Sequence, residues 1–251
     1  MNTNEIDQYR YFLKDSNRKE INFKETDQNR GIPAPALEKP YNRNSHRIDL
    51  ISRDIWSTIP AIDLKDAMVH RESRRVFTSE ALTLEELSFL LWSTQGIKKI
   101  ISNSTALRTV PSAGARHSFE TYVFIMNVTS IKKGLYRYLP IENQLLFIRE
   151  VEQMERSLSD ACFGQKFAGS SAVTFIWTTI PYRMEWRYSL SAHRVILIDA
   201  GHVCQNLYLA CEAIHAGTCA IGAYDQDAID ALIGVNGNDE FTIYLAPVGK
   251  V

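Results

Sequence analysis

Arg108–Met126, RTVPSAGARHSFETYVFIM, joins a loop of small residues directly to an apolar run. Pro111 removes one backbone donor and fixes φ, while Ser112, Ala113, Gly114 and Ala115 are too small to keep a flat ligand away from the main chain. Tyr122, Val123, Phe124, Ile125 and Met126 show no apolar–polar alternation, the pattern of a strand buried on both faces. The stretch therefore predicts a loop open to a planar ring and seated on a rigid strand. An ordinary tight turn before a core strand is the plainer account of the same residues.

A chain of 251 residues that is 45% hydrophobic can bury one large core, with or without an arm. Lys+Arg 28 against Asp+Glu 29, with no long charge run, indicates neither nucleic acid nor an anionic membrane as partner. The start MNTNEIDQYRYFLKD lacks the charged-then-apolar layout of an export signal, and no apolar run approaches bilayer length, so the expected location is cytoplasmic. Cys162, Cys204, Cys211 and Cys219 form no metal-ligand spacing and are few for a disulfide framework. They read as buried thiols, and no metal site is expected.

Residues 1–60 are polar and interrupted by Gly31-Ile32-Pro33-Ala34-Pro35 and Lys39-Pro40, which marks an extended arm or a free tail ahead of a domain at 61–251. A short helix near Ile6–Lys14 and another over Ile62–His70 are expected. In extended chain Arg71, Ser73 and Arg75 share one side, offering two guanidiniums and a hydroxyl suited to a phosphate dianion. A solvated basic turn fits them too. Thr83-Leu84-Glu85-Glu86 is a capping box that starts a helix at Leu84, which Gly96 ends just after Gln95. Two strand-like runs around Pro140–Gln144 predict a hairpin, Val151–Phe163 a modest helix, and Ala172–Trp177 a buried strand. Ser191–Ala216 predicts one long helix, capped by Ser191 or Ser189 and apolar over so much of its girth that it must be nearly enclosed. Its polar residues Asp199, His202, Gln205 and Asn206 interrupt that surface. Asp225 caps a short helix ending at Gly234, and Phe241–Ala246 predicts a last strand.

With these residues in hand, the chain resembles the FMN-dependent nitroreductase family, particularly its SagB-type dehydrogenase branch. The resemblance rests on Arg71-x-Ser73-x-Arg75, on Pro111-Ser112-Ala113-Gly114, on Cys219-Ala220-Ile221-Gly222-Ala223 and on Pro247-Val248-Gly249-Lys250, in family order over about residues 60–251. It implies an α+β, nitroreductase-like fold, a mostly antiparallel central sheet flanked by helices. It also implies a homodimer with two FMN sites. In each, Arg71, Glu72 through its backbone, Ser73, Arg75 and Lys250 hold the phosphate, and the Pro111–Gly114 loop comes from the other subunit. Ile221, Gly222 and Ala223, with Gly249 nearby, face the flavin edge; Gln95 either reaches the flavin or is an exposed last-turn residue. NADH or NADPH is the implied transient donor, a small molecule the acceptor, and the reaction ping-pong. Glu72 departs from the family, which often has a second arginine there. Arg187-Tyr188 falls where the SagB-type branch carries a Lys-Tyr pair that assists proton removal. Arginine cannot serve as that base, so Arg187 binds an anionic substrate group or makes a salt bridge. A dehydrogenase of peptide-derived azolines and a flavin-binding protein of little turnover are the alternatives to a general reductase.

Overall fold

A computed structural model describes residues 3–251, and in it the apolar run after the small-residue loop is the middle of a sheet. From the N-terminus, α1 (Thr3–Leu13) leads through short 3-10 turns to β1 (Arg47–Asp49). There follow α2 (Leu64–His70), α3 (Leu84–Gln95), a ribbon of β2 (Ile97–Ser102) and β3 (Thr105–Arg108), then β4 (Phe119–Ile125), β5 (Gly134–Leu139) and β6 (Gln144–Arg149). The chain ends through α4 (Met154–Ala161), β7 (Val173–Thr179), α5 (Tyr182–Tyr188), α6 (Ala192–Ala213), β8 (Ala216–Thr218), α7 (Gln226–Ile233) and β9 (Phe241–Lys250). The main sheet runs β1-β6-β5-β4-β7-β9-β8, with every neighbouring pair antiparallel.

Because side chains alternate along a strand, β4 feeds two cores. Phe119, Val123 and Ile125 pack with Leu87, Leu90 and Leu91 of α3 and Ile196, Val203 and Leu207 of α6. Tyr122, Phe124 and Met126 pack on the other face with Met154 and Leu158 of α4 and Ile229 and Ile233 of α7. Each fully buried side chain of this size contributes roughly 1.5–3 kcal/mol. That explains the unbroken apolar run.

The predicted caps at Thr83 and Asp225 are present, and Asp63 adds one at α2. The long helix departs from its expectation at both ends. Ser191 is already helical and makes no capping bond, and Ser189 takes φ 49, while Ile214 leaves helical geometry so that the chain can enter β8. Nor is α6 enclosed within one chain, since Leu197 and Ile198 are 45% and 46% exposed, and Gly201, His202 and Gln205 continue that open stripe.

Within the segment expected to be an arm, β1 is a strand of the main sheet. Residues 37–40 are fastened to the interior by polar bonds. The Lys39 amide donates to Glu120 at 2.8 Å, Arg137 donates to the Lys39 carbonyl at 2.8 Å, and Arg108 donates to the Leu37 carbonyl at 3.0 Å. Glu120, whose side chain is 3% exposed, also takes a 2.6 Å hydrogen bond from Arg183. All four cysteines are free and buried. Among the described residues no helix is long and apolar enough to cross a membrane, and no cluster of His, Cys, Asp or Glu is arranged to hold a metal.

Glu38 lies in this fastening. Burial pushes its carboxyl up from 4.5 to about 7, with Glu142 and Glu120 adding repulsion. An acid whose folded pKa is raised holds its proton more tightly in the folded state, so stability falls as pH climbs from about 4.5 through about 7. Glu38→Gln should therefore melt above the wild type at pH 8, by roughly 3 °C or more, with the gap closing near pH 4.5; calorimetry across that range checks it.

Candidate active site

The segment after α2 runs extended along the edge strand β8, with Ser73 bridging Thr218 and the Arg74 amide donating to the Thr218 carbonyl at 2.9 Å. Two glycines make room for it. A Cβ on Gly217 would lie 2.5 Å from the Arg74 side chain, and one on its cross-strand partner Gly249 would lie 2.8 Å from Phe77. In this posture the Arg71 guanidinium sits 5.4 Å over the Tyr208 ring, and the Ser73 hydroxyl is 3.0 Å from the Tyr208 hydroxyl. The same Tyr208 oxygen accepts from the Ala220 amide at 2.9 Å. Tyr208 thus joins the arginine segment to the loop that follows β8. Arg75 lies 6.0 Å over the Phe167 ring. Among the described residues neither Arg71 nor Arg75 pairs with a carboxylate, whereas Glu72 is engaged with Arg74 at 2.7 Å. Gly222 and Ala223 are exposed, and Ile221 turns inward, bridging Leu245.

A second group forms around the small-residue loop. Asp199 of α6 is buried beside Ser112 and Ala113, with its Oδ2 unpartnered among the described residues. Burial raises the Asp199 pKa, and the polar groups of Ser112 and Ala113 oppose the rise. Ser112 also accepts from the His117 amide at 3.0 Å. Burial, aided by Arg108, lowers the His117 pKa to about 3, so its ring is neutral near pH 7. Pro111 and Gly114 remain exposed. Gly114 takes φ 58, and a Cβ there would meet the Tyr188 hydroxyl at 2.6 Å and Arg187 at 3.1 Å. Arg187, Tyr188 and the loop are therefore neighbours within one chain. Arg116, at the loop's end, stacks 4.9 Å over Trp186 and donates to the Arg183 carbonyl at 3.2 Å, tying the loop to α5.

Gln95 and Lys250 have partners within the protein. Gln95 is 1% exposed and accepts from Arg108 at 2.8 Å, because the Arg108 guanidinium beneath α3 needs an acceptor. The Lys250 ammonium is buried against Glu86 and the Ile214 carbonyl, since β9 carries it inward under the capping box of α3. The salt bridge expected as one role of Arg187 is absent among the described residues. Tyr208 had no motif to announce its position, whereas Asp199 was visible as one of the polar residues interrupting an apolar helix.

This antiparallel sheet with helices on both faces, carrying two unpaired arginines beside one loop and an open small-residue loop beside another, defines a flavin oxidoreductase. The chain belongs to the nitroreductase family, whose model matches residues 68–250. It is 30% identical over 192 residues to a Methanocaldococcus jannaschii protein assigned as a nitroreductase, covering 76% of this chain and 93% of the relative. A crystal structure of a nitroreductase from Anabaena variabilis superposes with a TM-score of 0.66 at 26% identity, over 83% of this chain but 42% of that longer one. The fold is shared as well with the Escherichia coli microcin synthetase McbBCD complex, solved with truncated pro-MccB17 bound, at TM-score 0.60 and 15% identity, over 100% of this chain and 98% of that one.

Gly114→Ala places a side chain in left-handed backbone and against the Tyr188 hydroxyl. It should destabilise by about 1–2 kcal/mol from the backbone alone. Tyr188→Phe, which removes the nearest atom, should recover part of any loss beyond that. Denaturant melts of the two single variants and the double variant measure this coupling.

Proposed function

We propose that the protein binds FMN and carries out NAD(P)H-dependent two-electron reduction of nitro- or quinone-like acceptors by a ping-pong reaction. The observation that supports it most directly is the pair of arginines without carboxylate partners, Arg71 and Arg75, flanking Ser73 beside the Ala220–Ala223 loop. Arginine offers paired donors and a charge it does not lose, the donor set a phosphate dianion requires. On this reading Arg71, Ser73 and Arg75 hold the FMN phosphate, and the backbone of Ile221, Gly222 and Ala223 faces the polar edge of the ring. The exposed Pro111 and Gly114 leave a surface on which a flat ring can lie. Bound FMN supplies the two-electron carrier between nicotinamide and acceptor. The loop amides are fixed dipoles that need no reorganisation when negative charge accumulates beside them.

The reading of the assembly draws on α6. Asp199 and Tyr208 stand beside the two loops from positions nine residues apart, which is about two and a half turns and roughly 13 Å of rise. They point to opposite sides of the helix, which supports a homodimer in which one subunit's arginine segment meets the other's Pro111–Gly114 loop. The open stripe of Leu197, Ile198 and Gly201 is the surface such a homodimer would cover. A second reading, oxidation of a peptide-derived azoline, draws on the whole-chain likeness in fold to the microcin synthetase complex and on the retained Tyr188. Arg187 argues against it, because a guanidinium is no general base.

The test is a visible spectrum of the purified protein followed by anaerobic titration with NADH and with NADPH. A flavin spectrum bleached by either donor is expected, and stable FMN reduced by neither would favour the second reading. Arg71→Ala with Arg75→Ala should weaken FMN binding by about ten-fold or more, the worth of charge-assisted bonds to phosphate; full retention would overturn the phosphate assignment. Leu197→Glu should shift the mass in light scattering from dimer to monomer.

A further inference from the structure

We propose that the partly exposed side of Arg187, where α5 packs on the Pro111–Gly114 loop, takes the carboxylate of an acidic acceptor, with Arg187 as its counter-ion and the Tyr188 hydroxyl as a second donor. This names the substrate class of the flavin site and rests on that reading.

The argument is one of unpaired charge. Arg187 is half-buried, and among the described residues it has no carboxylate within 4.0 Å and makes no hydrogen bond; its guanidinium stands 5.5 Å over the Tyr188 ring. A second cation stands near it. Arg116 is 5% exposed and bonded only to the carbonyls of Arg183 and Ser104, each at 3.2 Å, and repulsion from Arg187 adds to the burial that lowers its pKa. Asp199 of α6 is buried with its Oδ2 unpartnered among the described residues, while Glu185, Asp15, Asp27 and Glu120 are engaged. Glu185 pairs with His193 at 2.8 Å, and Asp15 takes both Arg18 at 2.7 Å and Arg194 at 3.2 Å. Asp27 accepts from Tyr182 at 2.8 Å, and Glu120 is held by Arg183 at 2.6 Å. Two like charges are thus gathered, and among the described residues no carboxylate lies within 4.0 Å of either.

Their position gives that surplus a use. The virtual Cβ of Gly114 lies 3.1 Å from the Arg187 guanidinium and 2.6 Å from the Tyr188 hydroxyl, so both groups border the loop assigned to the flavin. The Tyr188 hydroxyl likewise makes no hydrogen bond among the described residues. Ser189, next in sequence, adopts φ 49 and ψ −134, a sparsely populated region for a residue with a side chain. The end of α5 is therefore held in one orientation. A carboxylate is planar and accepts both donors of a guanidinium edge, whereas the neutral nitro or quinone group of an acceptor would leave Arg187 uncompensated.

Titration calorimetry on the FMN-loaded full chain, with benzoate against its neutral isostere benzamide and against inorganic phosphate, tests this. Benzoate should bind about ten-fold or more tightly than benzamide, the worth of one charge-assisted contact. Arg187→Gln should erase the difference, and Arg187→Lys should restore part of it. Equal affinity for the two probes, binding of neither, a preference that survives Arg187→Gln, or phosphate binding tighter than benzoate would each overturn the assignment. FMN occupancy read by absorbance on the same samples separates the two claims. Protein that takes no FMN fails the flavin reading, while the benzoate–benzamide comparison on that protein still decides Arg187.

Discussion

One buried carboxylate sets the relation between the parts of this molecule. Glu120 lies on the central strand β4, just after the small-residue loop. It receives Arg183 from α5 and the Lys39 amide from the N-terminal segment, and Arg137 of β5 stands 3.8 Å away. An ion of this kind in the interior carries a desolvation penalty of several kcal/mol that only well-placed partners offset. Its partners are therefore held in place by the energetics of the whole fold. Arg183 lies at the start of the helix whose other end presents Arg187 and Tyr188, so the position of that end is fixed from within β4. The same carboxylate anchors the polar N-terminal chain across the sheet, which is how a segment with little apolar content of its own becomes part of the core.

The fold was legible where local chemistry decides structure. β4 announced its two buried faces by lack of alternation, Thr83 and Glu86 announced the start of α3, and Asp225 announced α7. The β2–β3 ribbon was not legible, because IKKIIS neither alternates nor is buried. β8 was hidden for a different reason: Ala216, Gly217 and Thr218 are chosen for what lies against them, not for strand propensity. The open stripe on α6 shows the limit of periodicity, which reports that a face is apolar but not which chain covers it.

In the site, the extended Arg71–Arg75 segment and the small-residue loop were readable as candidates, since alternation and residue size speak to what a ligand could approach. What a sequence does not carry is the use to which each charge is already put. Gln95 and Lys250 look like free polar ends near the motifs, yet Gln95 answers the buried Arg108 and Lys250 answers Glu86, far away in the chain. Arg187 is the converse case. Sequence allowed it either a salt bridge or a ligand, and the distribution of Glu185, Asp15 and Asp27 among other partners leaves it without the former.

The glycine pair at 217 and 249 has a consequence outside the site. By letting residues 73–78 lie flat along β8 and the end of β9, it also closes an edge of the sheet, occupying the Thr218 and Lys250 carbonyls that an edge strand would otherwise present to solvent. Exposed edges invite pairing between molecules. The stretch that carries the arginines is thus a guard against aggregation as well, and a side chain at either glycine would open the sheet to other copies while it displaced the arginines.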